Sequence, residues 1–347
     1  MGDKFFKKSE NNKSMNFQGL KNIEDHKFYL DVAFSRAKKK AAEKGQKKNK
    51  DRINTAKDKE LARIDAVEGY LIETMSTIET SFPSIDSLPD FYYELCRLQF
   101  DTDKLKKALA SLPWAKGKIK ELAGETRKRI KVAKSADYAK QYRNAFYGRV
   151  DSIMKRLSGK LQKIEQARRT MKAFPAIKQD IVTVAFVGFP NVGKSTLISE
   201  LTGSDIEINS YSFTTRRLLI GYMRQDMRKV QLIDTPGTLN REDKKNNIER
   251  QAELAMKHAA DAMVFVFDPT EQYPLEKQEK LLKKTIKEHK RETIIHISKT
   301  DIADPIIVEE IKEKHPEAIT DKARLAEEIW SMAKKHEKSR TQPETYK

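Results

Sequence analysis

Between residues 52 and 82 the apolar positions Leu61, Ile64, Val67, Leu71, Met75, Ile78 and Phe82 recur at spacings of three and four. That period gives a long helix with one apolar face. The stretch from Phe82 to Pro89 ends it, because its two prolines cannot sit in a helix interior without loss of hydrogen bonds. A second helix is expected over 91–100. A third follows, capped by Asp101 or Asp103, with Leu105, Leu109 and Leu112 on one face. Pro113 and Gly124 are expected to interrupt or kink it. From Asp137 to Phe174, Tyr138, Tyr142, Phe146, Val150, Ile153, Leu157, Leu161 and Ile164 mark another long helix. Aromatic residues at this spacing read as core rather than as base-stacking platforms, and Phe174-Pro175 closes the segment.

From Asp180 the period changes. Short apolar runs at 181–189, 218–223, 229–233, 262–268 and 293–298 alternate with helical patterns at 194–201, 248–260, 275–289 and 322–337. This alternation predicts an α/β unit with a mostly parallel sheet flanked by helices. The chain divides on this reading into a disordered basic tail (1–16), an N-terminal basic helical bundle (17–176), an α/β domain (177–338) and a short tail (339–347).

Charge sharpens the division. Residues 1–180 hold 41 Lys and Arg against 24 Asp and Glu, whereas 181–347 hold 28 against 27. Nearly the whole net charge of +18 therefore lies in the first half. Within 101–180 the count is 22 basic to 8 acidic, with Lys155, Arg156, Lys160, Lys163, Arg168, Arg169 and Lys172 opposite the apolar stripe. Two readings stand, a surface that docks on a polyanion such as nucleic acid and a solvated helix face. The single cysteine, Cys96, lies in an apolar run, which excludes an intrachain disulfide and fits a core position. The six histidines show no ligand spacing. No signal-peptide pattern and no long apolar span is present, so a soluble, cytoplasmic protein is expected, monomeric and without a membrane partner.

The chemistry is concentrated around Gly188-Phe-Pro-Asn-Val-Gly-Lys-Ser195, between an apolar run and an amphipathic one. A strand, a glycine-rich turn and a helix start form the setting of a phosphate-binding P-loop. Gly188, Phe189, Pro190, Asn191, Val192, Gly193, Lys194, Ser195 and Thr196 are its candidate binding residues. Gly188 and Gly193 let the backbone curl its N–H groups toward phosphate, Lys194 reaches the outer phosphates, and Ser195 offers its hydroxyl to Mg2+. Asp234-Thr-Pro-Gly237 closes an apolar strand about 40 residues later, as a second switch does. Asp234 would hold the metal through water, and the Gly237 N–H would sense the terminal phosphate. Ser298-Lys-Thr-Asp301 follows another apolar strand and has the form of a guanine-selecting loop, with Ser298 where Asn is usual. Asp301 can accept from two guanine N–H groups, and Lys299 can cover the base. A fifth element is at best Ala318-Ile-Thr320. Thr238 and Leu239 stand where many small GTPases place a water-orienting glutamine. Unaided hydrolysis of GTP to GDP and phosphate is therefore expected to be slow, on the order of 10⁻³ s⁻¹ or below.

Tyr211-Ser-Phe-Thr-Thr215, the segment from Asn246 to His258, and Val264-Phe-Val-Phe-Asp-Pro-Thr-Glu-Gln272 resemble the nucleolar GTP-binding protein (Nog-type) branch of the Obg-like GTPases. So do Ser81-Phe-Pro-Ser-Ile-Asp86, the segment 147–155 and the segment 161–168 in the helical half, so that the likeness runs over about residues 20–300. The resemblance implies that Thr215 ligates Mg2+ and that the protein acts in assembly of the large ribosomal subunit, its helical domain set against ribosomal RNA. It also implies a compact, archaeal-type member without the long C-terminal extension of eukaryotic ones. In related GTPases an asparagine at the position of Asn191 coordinates K+ near the phosphates; a turn-forming role is the other reading. Lys194, Thr215, Gly237 and Asn191 are thus the candidate catalytic set, and Ser195, Thr215 and Asp234 the metal set. Two other functions compete with this one. One is a nucleotide-stabilised ribosome-binding factor with little turnover; the other is a protein-targeting GTPase, disfavoured by Ser195-Thr196 where Thr-Thr is usual.

Overall fold

The computed structural model describes residues 17–44, 51–178, 180–203, 206–210, 217–235, 253–270 and 272–341. The chain forms two compact units. One consists of residues 17–88 and 99–172; the other contains residues 89–98 together with everything described from 173 on.

The first unit is helical: α1 (His26–Lys44), α2 (Arg52–Ser81), α4 (Thr102–Lys131) and α5 (Ala136–Lys172). The helix α3 (Asp90–Gln99) intervenes in sequence but groups with the second unit. The apolar stripe of α2 is buried at Ile64, Val67, Leu71, Met75 and Ile78, as its period requires. It packs on α1 and α4, and α4 packs on α5. The long helix α5 buries Phe146, Val150, Met154, Leu157, Leu161 and Ile164, so its aromatic Phe146 is core. Tyr138, at the first turn, is exposed instead.

The lysine-rich residues 26–44 form α1, whose buried face is Tyr29, Leu30, Ala33, Ala37 and Ala41. Alanine at every fourth position carries little hydrophobic signal among so many lysines but propagates a helix well. Pro113 and Gly124 do not break α4, which runs unbroken through both. Leu105, Ala108, Leu112, Ala115, Ile119 and Ala123 remain on one buried stripe across Pro113. Continuous tertiary packing outweighs the one backbone donor that proline removes. Asp101 is the cap of this helix, accepting from the Lys104 N–H at 2.9 Å.

The second unit is built on a six-stranded sheet in the order β2-β3-β4-β1-β5-β6. The strands are β1 (Val182–Val187), β2 (Ile206–Ser210), β3 (Arg217–Gln225), β4 (Arg228–Asp234), β5 (Ala262–Phe267) and β6 (Glu292–Ile297). β4, β1, β5 and β6 are mutually parallel, with Val184 paired to Leu232 on one side and to Ala262 on the other. β3 is antiparallel to both its neighbours, β4 and β2, and the tight turn at Asp226-Met227 leaves no room for a crossover between β3 and β4. Helices α6 (Lys194–Thr202), α7 (Leu275–His289), α8 (Pro305–Lys314) and α9 (Lys322–Thr341) flank the sheet. β1 and β5 are buried at every position, which explains their continuous apolar runs. The helix expected over 248–260 is described only from 253 and closes in a π-helical turn, Ala255–Ala259. Of the elements in this unit, β2 and α8 were not expected.

Residues 173–178 enter this unit under two buried clamps. The Tyr92 hydroxyl accepts from the Ile177 N–H at 2.9 Å and lies 3.0 Å from the Pro175 carbonyl. Burial pushes that hydroxyl up to about 12. On the sheet, the Gln231 side chain accepts from the Lys178 N–H at 3.0 Å and donates to Thr183 Oγ1 at 2.9 Å.

Candidate functional site

All four parallel strands end at one edge of the sheet, where ligands of α/β proteins bind. β1 runs into Gly188, β4 ends on Asp234, β5 precedes Asp268, and β6 precedes Ser298. Thr235 ties two of these ends together: its N–H and its hydroxyl reach the Phe186 carbonyl at 3.2 and 2.5 Å.

After β1 the backbone enters conformations that sequence dictates. Gly188 has φ +152°, and a Cβ there would lie 2.7 Å from the Val266 carbonyl oxygen, so only glycine fits. Asn191 (φ 61°) and Gly193 (φ 93°) are left-handed, which turns the chain back toward the start of α6. Val192 is buried beneath the loop, and Phe189 stacks on Tyr273 with ring centroids 4.4 Å apart. Pro190 is half-buried, while Asn191, Ser195 and Thr196 are exposed at the loop surface and the N-terminus of α6.

Lys194 is buried and donates to the carbonyls of Phe189 at 2.7 Å and Gly188 at 3.1 Å. Burial pulls its ammonium down to about 8, opposed by the charge of Asp234. The Ser195 hydroxyl donates to Asp234 Oδ2. Asp234 Oδ1 is buried and has no hydrogen-bond partner among the described residues. Burial raises the Asp234 pKa, with Lys194 and the Ser195 hydroxyl acting in the opposite sense. A hydroxyl beside a carboxylate with one unsatisfied oxygen is a hard-oxygen donor set that fits Mg2+. Thr215 and Gly237, with the neighbouring Thr238 and Leu239, lie outside the described residues.

On the other side of the P-loop, the Ser298 hydroxyl lies 2.7 Å from the Val192 carbonyl and 2.9 Å from that of Phe267. Ser298 therefore still braces the loop after β6 against the P-loop, although it is shorter than the usual asparagine. Lys299 is left-handed (φ 53°) and its ammonium meets Asp268 Oδ2 at 2.6 Å. Asp268 is buried; burial raises its pKa, but Lys299 and Thr270 hold it below the ordinary value. Gln278 locks the Asp268 backbone, accepting from its N–H at 2.9 Å and donating to its carbonyl at 2.8 Å. Ile319 pairs with β6 through two backbone bonds of 2.9 Å, which places Thr320 beside the same loop.

These pieces enclose a cavity of about 310 Å³ whose lining includes Gly193, Thr196, Ser298, Lys299, Asp301 and Thr320. Glu200 and Lys322, paired at 2.6 Å, also line it. So does His296, buried, with Nδ1 unpartnered among the described residues and its pKa pulled down to about 4 by burial, so the ring is neutral at neutral pH. Asp268 and His296 were not assigned roles from sequence. An acid directly after an apolar strand could have flagged Asp268; nothing in the pattern flags His296.

The sequence comparisons match this architecture. Residues 17–178 match the family model for the NOG1 N-terminal helical domain, and residues 183–299 match that of the 50S ribosome-binding GTPase. An uncharacterized protein of Methanocaldococcus jannaschii is 34% identical over 245 residues, covering 70% of this chain and 69% of that protein. This chain belongs to the nucleolar GTP-binding protein family of P-loop GTPases. Nucleolar GTP-binding protein 1 of Drosophila melanogaster is 31% identical over 88% of this chain, and that of Saccharomyces cerevisiae 30% over 77%. The chain spans 47% and 43% of those two proteins, less than half of each. A crystal structure described as a nucleolar GTP-binding protein 1 of Plasmodium falciparum covers 48% of the chain and 93% of that structure, at 22% identity and a TM-score of 0.38. Among the described residues no helix is long and apolar enough to cross a membrane, and no cluster of three His, Cys, Asp or Glu side chains could hold a metal ion.

Proposed function

We propose that this protein binds GTP with Mg2+, hydrolyses it to GDP and phosphate, and serves as an assembly factor of the large ribosomal subunit by docking its basic helical half on ribosomal RNA. One observation carries the nucleotide part: one cavity is lined by Gly193 and Thr196, at the end of the P-loop, on one side and by Ser298, Lys299 and Asp301 on the other. The P-loop backbone from Gly188 to Thr196 would hold the phosphates, and Lys194 would leave its loop carbonyls to pair with them. Ser195 and Asp234 would hold Mg2+, joined by Thr215, and the Gly237 N–H would meet the terminal phosphate. Bound Mg2+ supplies charge neutralisation at the transferred phosphoryl group. Asp301 would read guanine, and Lys299, aimed by Asp268, would cover the base. Asn191 is exposed on the P-loop and is assigned to K+. Replacing Na+ by K+ then raises turnover, and equal rates in the two salts would remove Asn191 from that role.

The ribosomal part is supported by the excess of basic residues in the helical half and by the two matched family models. Gradient sedimentation of the tagged protein tests it. Co-migration with large-subunit precursors is expected with a non-hydrolysable GTP analogue, and its loss with GDP or at raised salt. A protein that stays at the top of the gradient in every condition would sink the ribosomal assignment.

A further inference from the structure

A cavity of about 510 Å³ lies within the helical unit, between α1 and α2. Its α2 wall is made of small residues at one-turn spacing, Ala62, Ala66 and Gly69, with Tyr70 beside them. A side chain at Gly69 would meet nothing within 4 Å, so the groove is open there. Its α1 wall is cationic: Arg36, Lys39, Lys40 and Lys44. The Arg36 guanidinium lies over the Tyr70 ring, 4.4 Å from its centroid.

The acids of the groove are already engaged. Glu43 pairs with Lys40 at 3.1 Å, and Asp65 accepts from Arg127 at 2.9 Å. Arg36, Lys39 and Lys44 face no carboxylate at ion-pair distance among the described residues. In sequence, Lys47, Lys48 and Lys50 follow immediately. A flat cation-on-aromatic shelf ringed by unneutralised lysines suits a ligand with a π face and a negative charge a few ångströms apart. Duplex RNA shows its phosphates but hides its bases in the stack, whereas a single strand presents both.

We infer that the α1–α2 groove seats one unstacked nucleotide of a single-stranded RNA segment, its base on the Arg36–Tyr70 shelf and its phosphates on Lys39 and Lys44. This rests on the RNA-docking reading above and adds to it a single-strand seat on α1 and α2, in addition to the basic face of α5.

The test is fluorescence anisotropy of the full chain with a labelled oligouridylate and with a duplex RNA of equal charge. Arg36→Lys keeps the charge and removes the planar cation; Gly69→Trp keeps the charge and fills the groove. Each should weaken oligouridylate binding about tenfold, as expected for one lost base stack, and leave duplex binding within about twofold. The Lys39→Gln/Lys44→Gln pair should weaken both ligands and flatten the single-strand salt dependence by about 0.7 per charge removed. Oligouridylate binding untouched by Arg36→Lys and Gly69→Trp overturns the groove alone. No binding of either RNA overturns the groove and the RNA-docking reading together. Displacement of oligouridylate by polyglutamate at equal charge concentration also overturns the groove, marking it as a seat for an acidic protein.

Discussion

Lys194 sits in the P-loop and Lys39 lines the α1–α2 groove, and the two sites hold their cations differently. Lys194 is buried, bonded to two carbonyls and lowered to about 8, while around it Ser195, Asp234, Ser298 and Lys299 all have assigned partners. Lys39 and Lys44 stand exposed on a groove floored by alanine and glycine. A buried, mutually bonded site is preorganised and loses much when one member is removed. An exposed one loses little per residue and answers to salt.

The largest effect expected from that contrast is at Lys194. Lys194→Ala should cost guanine nucleotide affinity on the order of a thousandfold, about 4 kcal/mol, while leaving oligouridylate affinity within twofold. Titration calorimetry against both ligands checks this, and a small loss would mean that the buried site is not preorganised. Next comes acid. His296 titrates at about 4 in the folded chain against 6.5 when exposed, so the unfolded state takes up the proton first and stability falls as pH drops through that window. The contribution is on the order of 3 kcal/mol, and denaturant melts of His296→Leu should show a flatter acid limb than the parent. If the two limbs coincide, the ring is not the cause.

Asp268→Asn should lower guanine nucleotide affinity about tenfold by releasing Lys299 from its charged partner. Unchanged affinity for GDP would show that Lys299 aims itself. Smallest, and on the other side of the comparison, Gly69→Ala should stabilise the chain by up to about 1 kcal/mol, since a helix-interior glycine gives way there to alanine in open space. A thermal melt that moves down instead would mean that the groove is not open at Gly69.

How much of this was legible in the sequence differs between the units. The P-loop, Asp234 and Ser298–Asp301 were readable because each follows an apolar run that becomes a buried strand, and parallel strands deliver their C-terminal ends to one edge. The function of Ser298 was not readable. Only the fold shows that its hydroxyl reaches the Val192 carbonyl, so the shorter side chain keeps the brace. Asp268 escaped because its partner Lys299 lies 31 residues away, and His296 because its meaning comes from burial that only the fold creates. In the helical unit the leucine, isoleucine and valine stripes gave α2 and α5, whereas the alanine stripe of α1 was masked by lysines. The α1–α2 groove was invisible for the same reason.

Cys96 is fully buried in the core, and burial pushes its thiol up to about 12. It is also the chain's single cysteine. At neutral pH it is therefore silent toward thiol reagents as long as the protein is folded. A cysteine placed on the surface, at Lys39 for example, would take up a fluorophore or spin label alone. Reagent that reached Cys96 would report unfolding in the same tube.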